Sequence, residues 1–220
     1  MLLLHAGLAN ANYFADQVRA LSAAHYKAIV VDSRGQGRSS HDAQPYTYDL
    51  MADDVAALLD YLKVPKVALV GWSDGAIVGL DVAMRHPERL TKLFAFGAAY
   101  DPSGVSNAPS TVGNLYFART GEEYAQLSPT PTEFKSLLAQ MGPMWKTQPR
   151  WSKIDLARIT TPTWIADGDH DETVNPDQAR TLASWVPNAV LLIEPNVSHF
   201  ALLQNPEQFN ADLLRFLKTT

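Results

Sequence analysis

The segment Gly71-Trp72-Ser73-Asp74-Gly75 places a serine between two glycines. The apolar run Val67–Val70 precedes it and predicts a buried strand, and apolar residues at helical spacing follow it. Gly-x-Ser-x-Gly between a strand and a helix is typical of a nucleophile elbow, a tight turn that exposes the serine hydroxyl above a sheet. A helix that begins there would direct its free amides at negative charge formed beside the serine. Ser73 is therefore a candidate nucleophile.

Partners for such a serine follow two later strand patterns. Gly168-Asp169-His170-Asp171 comes after Thr163–Ala166, and His199 comes shortly after Val190–Ile193. In a parallel sheet the carboxyl ends of the strands meet at one edge, so these loops are expected to converge with Ser73. A serine hydroxyl needs an imidazole to take its proton, and the imidazole needs a carboxylate to orient it. His199 is the candidate base, and either Asp169 or Asp171 can supply the carboxylate.

Apolar strand patterns alternate with helical patterns along most of the chain, which predicts an α/β fold with a mostly parallel sheet flanked by helices. In the last helix, Asn205 is expected as the N-cap and Pro206 in the first turn. Strands are expected at residues 2–4, 28–31, 67–70, 93–96, 163–166 and 190–193.

Residues 100–159 interrupt this alternation and carry no strand pattern. We interpret them as a small helical cap inserted into a core of residues 1–99 and 160–220. Thr130-Pro131-Thr132-Glu133 reads as a capping box, so a helix is expected to begin there. Most of the large side chains of the insertion are expected to pack its own core and a few to line a pocket. They are Tyr116, Phe117, Tyr124, Phe134, Met141, Met144, Trp145 and Trp151.

Five motifs together resemble the α/β-hydrolase superfamily of the serine type over nearly the whole chain. They are Leu3–Gly7, Asp32–Ser39, the Gly71–Gly75 elbow, Gly168–Asp171 and Val197–Phe200. The motifs are specific for the superfamily and say little about the substrate.

The resemblance implies Ser73 as nucleophile, His199 as base and Asp171 as the acid, since the family usually places its acid three residues after the glycine of that turn. It also implies an oxyanion hole formed by the backbone amides of Gly7 and Asp74. Under the same resemblance His5 holds the oxyanion loop and does not titrate in the reaction.

The side chain of Asp74 has two interpretations. It attracts a cationic group on the substrate, as the likeness to hydrolases of amino-acid esters suggests, or it only caps the following helix or is solvated, which we favour. Ser73 has an alternative too, that of a small residue in a tight turn without chemistry. The complete set of partners disfavours it.

Two segments resemble cofactor-binding motifs but lack residues that those motifs require. Asp167-x-Asp169-x-Asp171 resembles a calcium loop, but Glu172 and Gln178 occupy the positions that need glycine and glutamate. Gly35-Gln36-Gly37 lacks the third glycine of a dinucleotide site and the lysine of a P-loop, and is expected to shape a turn beside the active site. We therefore expect no metal and no organic cofactor.

The composition narrows the possible classes of protein further. The chain has 220 residues, is 46% hydrophobic, carries a formal charge of −5 and contains no cysteine. The size fits one core domain, and the charge argues against nucleic acid as a partner. No apolar run approaches the roughly 20 residues that span a bilayer. We expect a soluble, cytoplasmic protein with no membrane partner.

The first strand pattern begins at Met1, whereas related hydrolases carry two strands before it. The segment Ala28–Val31 is then expected at the edge of the sheet, where an uncovered apolar strand is a pairing hazard. Either a preceding segment is missing, or a partner chain covers this edge, as in a homodimer.

These inferences predict hydrolysis of a small carboxylic ester or lactone through an acyl-enzyme. The alternatives are cofactor-free perhydrolysis or carbon–carbon bond cleavage on the same triad, and a non-catalytic ligand-binding homologue.

Overall fold

The fold is built on one sheet of six strands, seen in a computed structural model that describes residues 1–106, 108 and 110–219. The strands are β1 (Leu2–Leu4), β2 (Ile29–Val31), β3 (Val67–Trp72), β4 (Leu90–Phe96), β5 (Thr163–Gly168) and β6 (Val190–Glu194). Their order is β2-β1-β3-β4-β5-β6, and every neighbouring pair is parallel. The predicted α/β class with a mostly parallel sheet is confirmed.

Helices cover both faces of this sheet. They are α1 (Ala15–Ala23), α2 (Tyr48–Tyr61), α3 (Asp74–Arg85), α4 (Thr111–Leu127), α5 (Phe134–Thr147), α6 (Lys153–Leu156), α7 (Asp177–Trp185), α8 (Ala201–Gln204) and α9 (Pro206–Lys218). One apolar core joins the sheet to α2, α3 and α7, and a second joins the opposite face to α1 and α9.

Successive side chains along each strand point to opposite faces of the sheet and so pack into different cores. Leu3 pairs with Val70 in the β1–β3 register, and both side chains pack on the α1–α9 side. Leu4 and Leu69 pack on the other side. Helix α9 begins as expected, because the Asn205 side chain accepts a hydrogen bond from the Gln208 amide.

The segment 100–159 contains α4, α5 and α6. The capping box expected at Thr130 is wrong: α5 begins at Phe134, and Glu133 at its N-cap position makes no side-chain cap. The Thr130 hydroxyl instead forms a 2.9 Å hydrogen bond with the Tyr124 hydroxyl of α4. The side chain that was expected to cap α5 therefore binds to α4. The domain limits at 99 and 160 stay a prediction.

Strand β2 lies at one edge of the sheet and pairs with β1, as expected for this segment. Its three residues are half-buried. A partner chain on this edge remains a prediction. Among the described residues, no helix combines the length and apolarity that crossing a membrane requires.

Candidate active site

Ser73 occupies the turn between β3 and α3 with a φ of +56°, in the left-handed region that a serine rarely adopts. The flanking glycines make this turn possible. A Cβ atom on residue 71 would lie 2.2 Å from the carbonyl oxygen of Gly75, and one on residue 75 would lie 2.1 Å from that of Leu4. The Ser73 amide donates to the Phe96 carbonyl at 2.8 Å. The turn thus holds Ser73, half-buried, at the carboxyl edge of the sheet.

His199 and Asp171 form a buried pair on the same edge. The Nδ1 atom of His199 lies 2.6 Å from Oδ2 of Asp171, and both residues are less than 10% exposed. The other carboxylate oxygen, Oδ1, accepts the amides of Thr173 and Val174 at 2.7 Å each. Burial alone would raise the pKa of Asp171, but His199 and the hydrogen bonds outweigh burial and hold it below its ordinary value.

Asp169, the rival carboxylate, points away from His199. Its Oδ1 atom lies 2.6 Å from Nδ1 of His170, an exposed histidine. The structure therefore brings Asp171 and not Asp169 to the candidate base.

The loop that carries His199 is fastened to the residue before Ser73. The indole N–H of Trp72 donates to the His199 carbonyl at 2.7 Å, and the two rings lie 6.1 Å apart. Among the described residues, no hydrogen bond joins the Ser73 hydroxyl to His199. In unliganded enzymes such bonds are often long and tighten when substrate binds.

The two amides of the predicted oxyanion hole belong to residues that contact each other. Among the residues with described structure, the amides of Gly7 and Asp74 donate to no protein acceptor, whereas the next amide, that of Leu8, donates to Oε1 of Gln36. A Cβ atom on residue 7 would lie 2.5 Å from Oδ2 of Asp74, so the two residues are in contact. Asp74 begins α3, whose amino terminus adds positive potential. This arrangement can bind an oxyanion.

His5, two residues before Gly7, is fully buried. Its Nδ1 atom lies 2.7 Å from the Ala6 carbonyl, and Nε2 accepts the Ser33 amide at 2.9 Å. Burial lowers its pKa, which favours the neutral ring with the proton on Nδ1. These contacts are those of a residue that holds the loop.

The Asp74 side chain does not cap α3, and it is only 7% exposed, so the favoured interpretation is wrong. Its Oδ1 accepts the Tyr48 hydroxyl and its Oδ2 accepts the Trp145 indole N–H, both at 2.8 Å. Burial raises the pKa of Asp74. The two hydrogen bonds and the nearby His199 act in the opposite direction, but burial is the larger effect.

The sequence analysis assigned no role to Gly97, and it did not predict the contacts that Gln36 and Tyr116 make with the loop of Gly7. Gly97 has a φ of +65°, and a Cβ atom there would lie 2.8 Å from Cε1 of His199. Gln36 holds the oxyanion loop through Leu8, and Tyr116 of α4 donates its hydroxyl to the Gly7 carbonyl at 2.6 Å. A glycine directly after the β4 pattern was the available indication for Gly97, but nothing in the sequence pairs Gln36 or Tyr116 with the loop.

A family model described as alpha/beta hydrolase fold matches residues 1–136. The chain belongs to this family. Across 98% of its length it is 28% identical to "Putative carbamate hydrolase RutD" of Caulobacter sp. (strain K31), covering 90% of that protein. A protein of the same name from Caulobacter vibrioides (strain NA1000 / CB15N) is 39% identical over 95 residues, 42% of this chain and 35% of that protein. The family and these relatives together support the conclusion that this chain is a hydrolase.

Solved structures share the fold over nearly the whole chain. The enol-lactonase from Burkholderia xenovorans LB400 aligns with a TM-score of 0.76 at 22% identity, covering 99% of this chain and 90% of that one. The meta-cleavage product hydrolase from Pseudomonas fluorescens IP01 reaches 0.85 at 20% identity, with 98% and 89% covered. Est816, an N-acyl homoserine lactone degrading enzyme, aligns at 0.72 and 26% identity, with 98% and 92% covered.

Proposed function

We propose that this chain hydrolyses a small carboxylic ester or lactone through an acyl-enzyme, with Ser73 as nucleophile, His199 as base and Asp171 as the acid that orients it. The observation that carries the proposal is the buried 2.6 Å contact between His199 and Asp171 beside the strained turn at Ser73. A serine at such a turn and an imidazole held by a carboxylate are the parts that acyl transfer requires.

The proposed reaction has two halves. His199 takes the Ser73 hydroxyl proton as Oγ attacks the carbonyl carbon, and the amides of Gly7 and Asp74 donate to the resulting oxyanion. The intermediate collapses, and the alcohol leaves with the proton from His199. Water then attacks the acyl-enzyme with His199 again as base, which releases the carboxylic acid and restores Ser73.

Carbamates are a second candidate substrate class. The observation that favours them is the name shared by several relatives aligned over almost the whole chain at 27–28% identity. A carbamate carbonyl is attacked in the same way, and the site would expel an amine or an alcohol. Parallel assays of matched aryl esters and aryl carbamates separate the two classes by their kcat/KM values.

Ser73→Ala tests the shared mechanism. We expect turnover of a short-chain aryl ester to fall by about 10⁶ in this variant, with an unchanged circular dichroism spectrum. A fluorophosphonate probe should label the wild type at the peptide containing Ser73.

Ser184→Ala is the matched control, because Ser184 lies exposed on α7 and should keep both turnover and labelling. Undiminished turnover in Ser73→Ala, or a folded wild type that the probe does not label, would refute the mechanism.

A further inference from the structure

Asp167 is a buried carboxyl group for which the proposed reaction has no use. It lies in β5, four residues before Asp171, and none of its surface is exposed. One oxygen, Oδ1, accepts the amide of Gly168 at 2.9 Å. The other, Oδ2, meets no conventional donor among the described residues.

Such a group is stable in the interior only as a neutral acid, because none of the described residues forms an ion pair with it. A neutral acid carries an O–H that itself needs an acceptor. The neighbouring acceptor is the Asp171 carboxylate, with which Asp167 shares a hydrogen bond. The orphaned oxygen is therefore explained when Asp167 is the donor of this pair.

The charge of the pair accordingly resides on Asp171. Burial, and then the nearby Asp171 charge and hydrogen bond, raise the pKa of Asp167 to about 10. The same hydrogen bond helps to keep the pKa of Asp171 low. The opposite directions of the two shifts assign the shared proton to Asp167.

This proton completes the contacts of Asp171. Its oxygens already accept two backbone amides, from Thr173 and Val174, and face Nδ1 of His199. A carboxylate offers about four lone-pair positions. A hydroxyl donated by Asp167 would take the fourth.

We propose that Asp167 is a positioning residue, a neutral acid that donates a hydrogen bond to Asp171 and fixes the carboxylate that orients His199. The inference rests on the proposed function for its kinetic consequences only. Without the Asp167 donor, the Asp171 carboxylate loses one of its hydrogen bonds, and its charge is less dispersed. His199 would then hold its proton more tightly and be less well aligned.

The pH profile reports on this effect through His199. The titratable groups that face His199 from the elements around it are Asp171, on the loop after β5, and Asp74, at the start of α3. Asp167 acts on His199 through Asp171. Losing its proton donor should therefore move the acidic limb of kcat/KM to higher pH.

The experiment compares Asp167→Asn with Asp167→Leu in the full chain. Asparagine keeps both an acceptor for the Gly168 amide and a donor for Asp171, and leucine keeps only the volume. We expect kcat within about threefold of wild type for Asp167→Asn, and about 10- to 100-fold lower for Asp167→Leu, with KM little changed and the acidic limb shifted upward. Asp167→Ala replaces Asp167→Leu if the latter does not fold.

A readout independent of turnover is the ¹H–¹⁵N NMR signal of the His199 imidazole. We expect the position of this signal to change in Asp167→Leu and to stay at the wild-type value in Asp167→Asn. The inference is overturned if the asparagine variant is as impaired as the leucine variant, or if the leucine variant matches wild type in rate and in the position of the His199 signal. Failure of the proposed function looks different, because Ser73→Ala would then keep its activity while the NMR comparison still reports on Asp167.

Discussion

The indole N–H of Trp145 donates a 2.8 Å hydrogen bond to the carboxylate of Asp74, the residue that directly follows Ser73. Trp145 belongs to α5 in the 100–159 segment, so this bond ties the predicted cap to the turn that carries the candidate nucleophile. The second oxygen of Asp74 is satisfied by Tyr48 of α2. Movement of α5 away from the sheet would leave a buried carboxylate with one donor.

Trp145→Phe removes this donor and keeps an aromatic ring in its place. We expect the free energy of unfolding to fall by about 1.5–3 kcal/mol, the range for hydrogen bonds to charged groups, in urea titrations with an unchanged m-value. Trp151→Phe is the control, because among the described residues the Trp151 indole N–H makes no hydrogen bond, and we expect its effect to be smaller. Equal losses in the two variants would show that the Trp145–Asp74 bond has no special weight.

Gly97 limits the space available to the candidate base. In Gly97→Ala the new methyl group would lie 2.8 Å from the His199 ring at a φ of +65°, so the ring must move. We expect kcat to fall by about 10² or more, as for misplacement of a reacting group by about 1 Å, with a smaller change in KM.

The matched control for this variant is Gly142→Ala. Gly142 lies within α5, and apart from its adjacent residues and the local helix backbone a Cβ atom there would meet no atom within 4 Å. Alanine should leave kcat unchanged, and no gain in helix stability is expected because Gly142 directly precedes Pro143. A wild-type kcat in Gly97→Ala would mean that the ring has room to shift without cost.

The sheet was predictable because each strand contains a short apolar run, yet the strand limits were not. The β3 run stops at Val70 in the sequence, but Gly71 and Trp72 continue the ladder beside Ala95 and Phe96. Strand β4 begins at Leu90, before its continuous apolar run, because Leu90 pairs with Val67. Pairing across the sheet, which a single segment does not encode, sets these limits.

The candidate site, like the sheet, was predictable from the sequence only in part. Ser73, Asp171 and His199 could be placed together because each follows a strand and parallel strands end at one edge. The partners of Asp74 could not be predicted, because Tyr48 and Trp145 come from separate helices that meet only in the fold. Gln36 was likewise assigned to a turn, although its side chain fixes the Leu8 amide.

Glu194, at the end of β6, is fully buried, and neither carboxylate oxygen meets a donor among the described residues. Burial, and then the charge of Asp212, raise its pKa from 4.5 to about 7. Between these two values the folded chain binds more protons than the unfolded chain, so this group's contribution to stability falls as pH rises from about 4.5 to 7. Above pH 7 the buried carboxylate is ionised and destabilises the fold.

Glu194→Gln removes this ionisation and keeps the size of the side chain. We expect the variant to exceed wild type in free energy of unfolding by about 3 kcal/mol at pH 8, from a pKa difference of roughly two and a half units, and by much less at pH 5. Other buried acids, such as Asp81, titrate in both proteins, so the difference between them isolates Glu194. Denaturant titrations at the two pH values measure it, with exposed Glu88→Gln as a control that should change little at either pH. A Glu194→Gln difference that is the same at pH 5 and pH 8 would place the effect in packing and not in the charge of Glu194.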